Sequence, residues 1–334
     1  MNLRFHAVLA TLLAIIPAAL PVPLQAAEGP PDGSTPEQKA AIAGDPAYRP
    51  QKLELVQRPG SRHRPTSLFN GRNLDGWDSW LGYTVPASTY GTPSSEPIGL
   101  NHDTTGVFRV VQQDGAPAIY SNGKIFGGLI TRRSFSNYHL HVEYKWGENS
   151  WMAPFPRNNG VLYHSHGRYG AFFGTWMTAV EFEVVPHSVG MLLTVGDSKG
   201  THSFSTVDWR VGANVEVAHD PAIIYPGRRF QLGGLKAPVR FPAYNEDAGV
   251  DAEKPVGSWN SLDLYVYGDR SIHVVNGVPV MKATDLSTAD EKTGKRRPLT
   301  AGRIQLQSEG SETYFRNVTI EPISRLPKVR QKQK

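Results

Sequence analysis

The chain contains no cysteine. Disulfides, thiolate metal sites and thiol nucleophiles are therefore excluded. Cohesion has to come from burial alone, which a chain of 334 residues can supply. Beyond the N-terminal stretch, no apolar run approaches the ~18 residues of a membrane-spanning helix. The sequence also lacks a G-x-S-x-G elbow, an H-E-x-x-H helix, a Walker loop and a G-x-G-x-x-G turn. Serine hydrolases, zincins, phosphate-loop enzymes and dinucleotide-binding folds are set aside with them. The net charge of +5 gathers toward the ends of the chain. No basic stripe alternates with aromatics, so nucleic acid is not an expected partner. No long amphipathic helical period appears in the folded part either.

The segments that are present divide the chain. Arg4 precedes an apolar run from Ala7 to Leu20, followed by Pro21, Pro23 and Leu24-Gln25-Ala26. This reads as a secretory signal peptide over 1–26, which predicts a periplasmic or secreted protein with no transmembrane anchor after cleavage. Residues 27–65 are rich in Pro, Gly, Ala and charge, and read as a linker or lead-in. Residues 66–323 form the expected folded domain, and 324–334 a basic tail expected to fray.

Inside the domain the period is two. Tyr138, Leu140, Val142, Tyr144 and Trp146 alternate with His139, His141, Glu143 and Lys145. Strand side chains point to alternate faces, so this is a half-buried strand with the two histidines on its outer, solvated face. Leu262, Leu264 and Val266 repeat the pattern. The Asn276-Gly277 step marks a hairpin between Ile272–Val275 and Val278–Val280. Many short alternating segments separated by Gly, Pro and Asn predict an all-β fold, a jelly-roll sandwich of two antiparallel sheets.

Chemistry concentrates between Asn158 and Asp197. Glu181 and Glu183 share one face of a strand, with Val180, Phe182 and Val184 on the other. On the preceding strand Leu162, His164 and His166 are expected to share a face. Two carboxyls can divide acid and base roles where their environments separate their pKa values. Retaining glycosidases hold such a pair ~5–5.5 Å apart across the scissile bond. Neighbours on one strand do not face each other in that way. Alternate strand histidines can bind a divalent metal with a nearby carboxylate, which makes His164 and Glu181 candidate ligands; a hydrogen-bonded histidine on a wet surface is the commoner outcome. Trp77, Trp80, Trp151, Trp176, Trp209 and Trp259 offer aromatic faces suited to sugar rings.

A series of stretches, in order, resembles the 3-keto-disaccharide hydrolase family: Ser67–Trp77 (SLFNGRNLDGW), Asn158–His164 (NNGVLYH), Val180–Val184 (VEFEV), Trp259–Gly277 and Gly302–Ile320. Asn159, His164 and Glu183 stand where the family more commonly has Ser, Arg and Gln. The resemblance implies a concanavalin A-like jelly roll and a carbohydrate substrate oxidised at C3 of a glucose-type ring. A C3 ketone acidifies the C2 proton, so a base can remove it, the C1 substituent leaves by elimination, and water adds back. Such a reaction needs a base, an electrophile for the enolate oxygen and an acid for the leaving group. The resemblance makes Glu181 the base or a metal ligand, with His164 and Glu183 as further catalytic candidates. Substrate contacts are expected from Asn158, His166, Trp176, His273, Gln305, Gln307, Glu309 and Arg316. A divalent metal on the C2 and C3 oxygens would supply the electrophile. A conventional glycoside hydrolase with Glu181 as nucleophile and Glu183 or Glu309 as acid, and a non-catalytic glycan-binding module, remain the alternatives.

Overall fold

The structure, a computed structural model, describes residues 51–60, 64–91, 93, 95–151, 157–202, 207–218, 228–239, 243–244 and 252–333. The leader and most of the lead-in fall outside these. No helix among the described residues is long and apolar enough to cross a membrane.

Two sheets stack face to face, one of nine strands and one of eleven among the described residues. Almost every pairing is antiparallel; Arg228–Arg229 and Ala243–Tyr244 pair in parallel at one edge. The nine-stranded sheet runs inward from that edge through Leu192–Val195, Thr178–Val184, Asn159–His166, Arg303–Ser308, Gly127–Thr131 and Trp77–Leu81. Asn260–Tyr267, Tyr138–Ser150 and Ser311–Pro322 lie side by side within the eleven-stranded sheet. This is the jelly-roll sandwich of two antiparallel sheets that the alternating pattern predicts, as the family resemblance also implies.

The main core fills the space between the layers. Val180, Phe182, Val184, Val161, Tyr163, Ile304 and Leu306 descend from one sheet onto Tyr138, Leu140, Val142, Leu262 and Leu264 of the other. Burial of such side chains contributes roughly 1.5–3 kcal/mol each. Because side chains alternate, every residue between these inward ones points out of the sandwich. The outer face of the nine-stranded sheet thereby receives Glu181, Glu183, Gln305, Gln307 and Gly160.

The lead-in and tail depart from expectation. Leu53–Val56 pairs with Lys328–Gln331 as a separate antiparallel ribbon. Leu55, Leu326 and Val329 pack on Tyr265, Ile272, Val274 and Ile323, on the outer face of the eleven-stranded sheet. The tail is held rather than frayed, because Leu326 and Val329 cover an apolar patch and Lys328–Gln331 pairs with Leu53–Val56.

Candidate functional site

Registry lines the site up across the nine-stranded sheet. Glu183 lies opposite Gly160 and Glu181 opposite Leu162. Gln305 also lies opposite Leu162, and continuing that register sets Gln307 opposite Gly160. On its other side Gln307 faces Gly128, which faces Trp80. Gly160 occupies a tight place. A Cβ there would collide with Glu181 Oε1 and come within 2.6 Å of Gln307 Oε1. Both side chains lean across the bare backbone of this glycine, so the Asn-Asn-Gly step is the floor on which they meet.

Glu309 joins them one residue beyond strand Arg303–Ser308. Glu181, Glu183, Gln307 and Glu309 are all at least nine-tenths buried. Glu181 Oε1, Glu183 Oε1, Gln307 Oε1 and Asn158 Oδ1 have no hydrogen-bond partner. Buried acceptors without donors are costly, and such a group at a functional face marks where a ligand's donors belong.

The electrostatics separate the three carboxyls. Burial, then the charge of Glu309, push the Glu181 carboxyl well above the ordinary carboxylate range, while a hydrogen bond from Gln307 pulls it back in part. Burial, followed by Glu181 and Glu309, does the same to Glu183. Burial pushes Glu309 up to about 7, opposed by a hydrogen bond from Tyr90. Like charges this close cannot all ionise. Glu309 is therefore the carboxyl displaced least, while Glu181 and Glu183 are pushed further toward the protonated form.

Tyr90 escaped the sequence reading. Residues Pro86–Thr89 make one 3-10 turn with proline in its first positions. Buried Thr89 sits against Thr175, Oγ1 to Oγ1 at 3.2 Å. The turn delivers Tyr90, whose hydroxyl donates to Glu309 Oε1 at 3.2 Å. Its ring packs edge-on against Phe126 and Phe173 and tilted against Trp176. Tyr90 as a residue is half-buried. A lone tyrosine in a Pro- and Ser-rich loop carries no motif by which it could have been found.

Several expected site residues lie elsewhere. His164 has φ 52°. The pairing shifts there, so that Tyr163 and His164 together oppose Ile304. This bulge turns His164 inward onto Tyr138 and Tyr163, with Nδ1 3.2 Å from Leu299 O. His164 and Glu181 are thus on opposite faces of the sheet and cannot share a metal ion. Among the described residues, no group of three or more His, Asp or Glu is placed to hold one. His166 lies beyond the bulge, its Nε2 2.9 Å from Thr288 Oγ1 of the other sheet. His273 is fully buried between the layers, stacked on Phe182, with Nδ1 2.9 Å from Gly190 O and Nε2 3.1 Å from Tyr163 Oη. Arg316 is on the far face of the eleven-stranded sheet, donating to Glu143 at 2.6 Å and lying 3.8 Å over the Trp259 ring.

Gln305 and Trp176 are on the correct face but are already engaged. Gln305 Nε2 donates to Ser165 Oγ at 2.7 Å, and its Oε1 accepts from Met177 N at 3.5 Å. Trp176 donates to Gly127 O and stacks on Phe126. They hold the segment 167–177 across the sheet rather than offer a surface to a sugar. Of the sequence candidates, the sheet brings together Glu181, Glu183, Gln307 and Glu309, with Asn158 one residue ahead of the strand that carries Gly160.

A jelly-roll sandwich with a nest of carboxyls on one outer face is the class that this geometry defines. Residues 64–321 match the 3-keto-alpha-glucoside-1,2-lyase-like domain, and the chain belongs to that family. Membership makes it a carbohydrate-active protein. No curated protein matches the chain. Among solved structures, a candidate glycosyl hydrolase from Parabacteroides distasonis is 16% identical over 78% of this chain and 100% of its own, with a TM-score of 0.42. The non-specific endo-beta-1,3(4)-glucanase SCLam is 10% identical over 85% of this chain and 94% of its own, at 0.38. A carbohydrate-binding module from Bacillus subtilis is 10% identical over 64% and 91%, at 0.36. Likeness this distant carries no functional weight.

Proposed function

We propose that this protein cleaves 3-keto-glycosides by removing the C2 proton and eliminating the C1 substituent, with water adding to the product to complete a net hydrolysis. The observation that carries the reading is the nest itself. One carboxyl is poised near neutrality beside two pushed further up, with Gln307 Oε1 and Asn158 Oδ1 unpaired. A general base works best with a pKa near the working pH, which fits Glu309. The sequence reading gave that role to Glu181; the electrostatics favour Glu309. Glu181 and Glu183, displaced toward their neutral acid forms, are suited to donate hydrogen bonds to the C3 oxygen as the enolate forms. Gln307 Oε1 and Asn158 Oδ1 are suited to accept from ring hydroxyls. Family membership supports the keto-sugar substrate and the elimination. The leader read over 1–26 supports placing the activity in the periplasm or outside the cell.

The test is incubation of the purified protein with a chromogenic 3-keto-glucoside and with its unoxidised parent, with and without chelator. Release from the keto sugar alone, lost in Glu309→Gln, is the expected result. Release from the parent, with a glycosyl-enzyme adduct by mass spectrometry, would instead establish a conventional glycosidase. Saturable binding without release of either would establish a binding module.

A further inference from the structure

Resting on that reading, we propose that Tyr90 is a catalytic residue that protonates the departing C1 oxygen and is recharged by Glu309. An elimination needs a proton taken from C2 and a proton given to the leaving group. The side chains best placed for these two tasks are joined directly, Tyr90 Oη donating to Glu309 Oε1 at 3.2 Å. Tyr90 is half-buried as a residue, while the Glu309 it donates to is 5% exposed. Because the two groups are hydrogen-bonded, a substrate with C2 at Glu309 brings its C1 oxygen near the Tyr90 hydroxyl.

The steps balance within the protein and its substrate. Glu309 takes the C2 proton, and the C–H electron pair becomes the enolate of the C3 ketone. The enolate collapses to a C1=C2 double bond, and the C1–O bond breaks with its electrons on the leaving oxygen. That oxygen takes the hydroxyl proton of Tyr90. The phenolate recovers a proton from the newly protonated Glu309 along the hydrogen bond between them. The alcohol and the unsaturated keto sugar depart, and both residues are back in their starting states. Burial and the neighbouring carboxyl of Glu309 raise the phenol well above its usual range, so it enters the cycle protonated.

The position of Tyr90 is fixed independently of any substrate. Thr89 is tied to Thr175, and the aromatic rings of Phe126, Phe173 and Trp176 surround the phenol. Tyr90→Phe therefore removes the proton and keeps the packing.

The experiment compares wild type and Tyr90→Phe on 3-keto-glucosides of graded leaving group, from para-nitrophenol, which departs readily as an anion, to a simple alkyl alcohol. General acid assistance amounts to about 100-fold or more. The variant should lose that factor in kcat on the alkyl glucoside and about 3-fold or less on the nitrophenyl one. In deuterated water it should still exchange the C2 hydrogen of the alkyl substrate, since Glu309 is intact. Equal losses on both leaving groups, or loss of exchange together with release, would assign Tyr90 a structural role and overturn the proposal. Wild type inert toward every 3-keto-glycoside would instead remove the parent reading, and this one with it.

Discussion

Phe182 and His273 lie face to face across the interior of the sandwich, ring centroids 4.3 Å apart and 7° from parallel. The contact ties the strand that carries Glu181 and Glu183 to the opposite sheet. It makes His273 a core residue, and its replacement by Ala should cost about 2–4 kcal/mol. Denaturant unfolding should show that loss, while KM for any sugar substrate of the native fraction stays unchanged.

Burial lowers His273 to about 4 and His164 to about 4, both from an ordinary 6.5. A histidine kept neutral in the fold is stable above its unfolded pKa. As pH falls, the unfolded chain binds the proton first, so stability drops between about 6.5 and 4 and then levels. Thermal melts across that window should show a falling Tm, with the slope reduced in His164→Gln.

The carboxyls act in the opposite sense. Glu183 has its folded pKa raised, so the fold binds its proton more tightly than the unfolded chain does. That contribution is full below the ordinary carboxylate range and is lost as pH rises through the folded value. Glu183→Gln should therefore raise Tm at pH 8 by more than at pH 5. An equal change at both would show that Glu183 is ionised throughout.

Gly160→Ala tests the floor. Its added methyl meets Glu181 and Gln307 rather than open space. Overpacking of this kind costs about 1–3 kcal/mol. The displacement of two site side chains should lower kcat/KM by about 100-fold, since small misplacements at reacting groups are costly. A folded variant with full turnover would mean that the Glu181–Gln307 contact is not needed.

Arg316→Met provides the contrasting case. The arginine pairs with Glu143 and covers Trp259 on the sheet remote from the nest. Loss of the pair and the cation–π contact should cost about 1–2 kcal/mol. Turnover should hold within about 2-fold, which steady-state kinetics will show.

The sequence made the sandwich legible because inward apolar residues alternate with polar ones along Tyr138–Trp146 and Val180–Val184, even though the second strand is buried on both faces. It also placed Glu181 and Glu183 outward between Val180, Phe182 and Val184, and Gln307 and Glu309 outward by continuing the alternation set by Ile304 and Leu306. The histidines went astray for two local reasons. At His164 the bulge shifts the count by one, and nothing in Leu162-Tyr163-His164 announces a residue with positive φ. At His273 the pattern is inverted, because Ile272 and Val274 face outward beneath Leu55 and Val329 and read as if they faced the core. Tyr90 and Thr89 were invisible because a loop has no period to read.

The ribbon formed by Leu53–Val56 and Lys328–Gln331 brings the start and finish of the folded chain side by side, Leu53 opposite Gln331. It lies behind the eleven-stranded sheet, with the whole thickness of the sandwich between it and the carboxyls. Cargo fused at either extremity would hang from the rear and leave the mouth clear. A few residues bridging the gap would close the chain into a ring, so new termini could be cut in a surface loop without rearranging the interior.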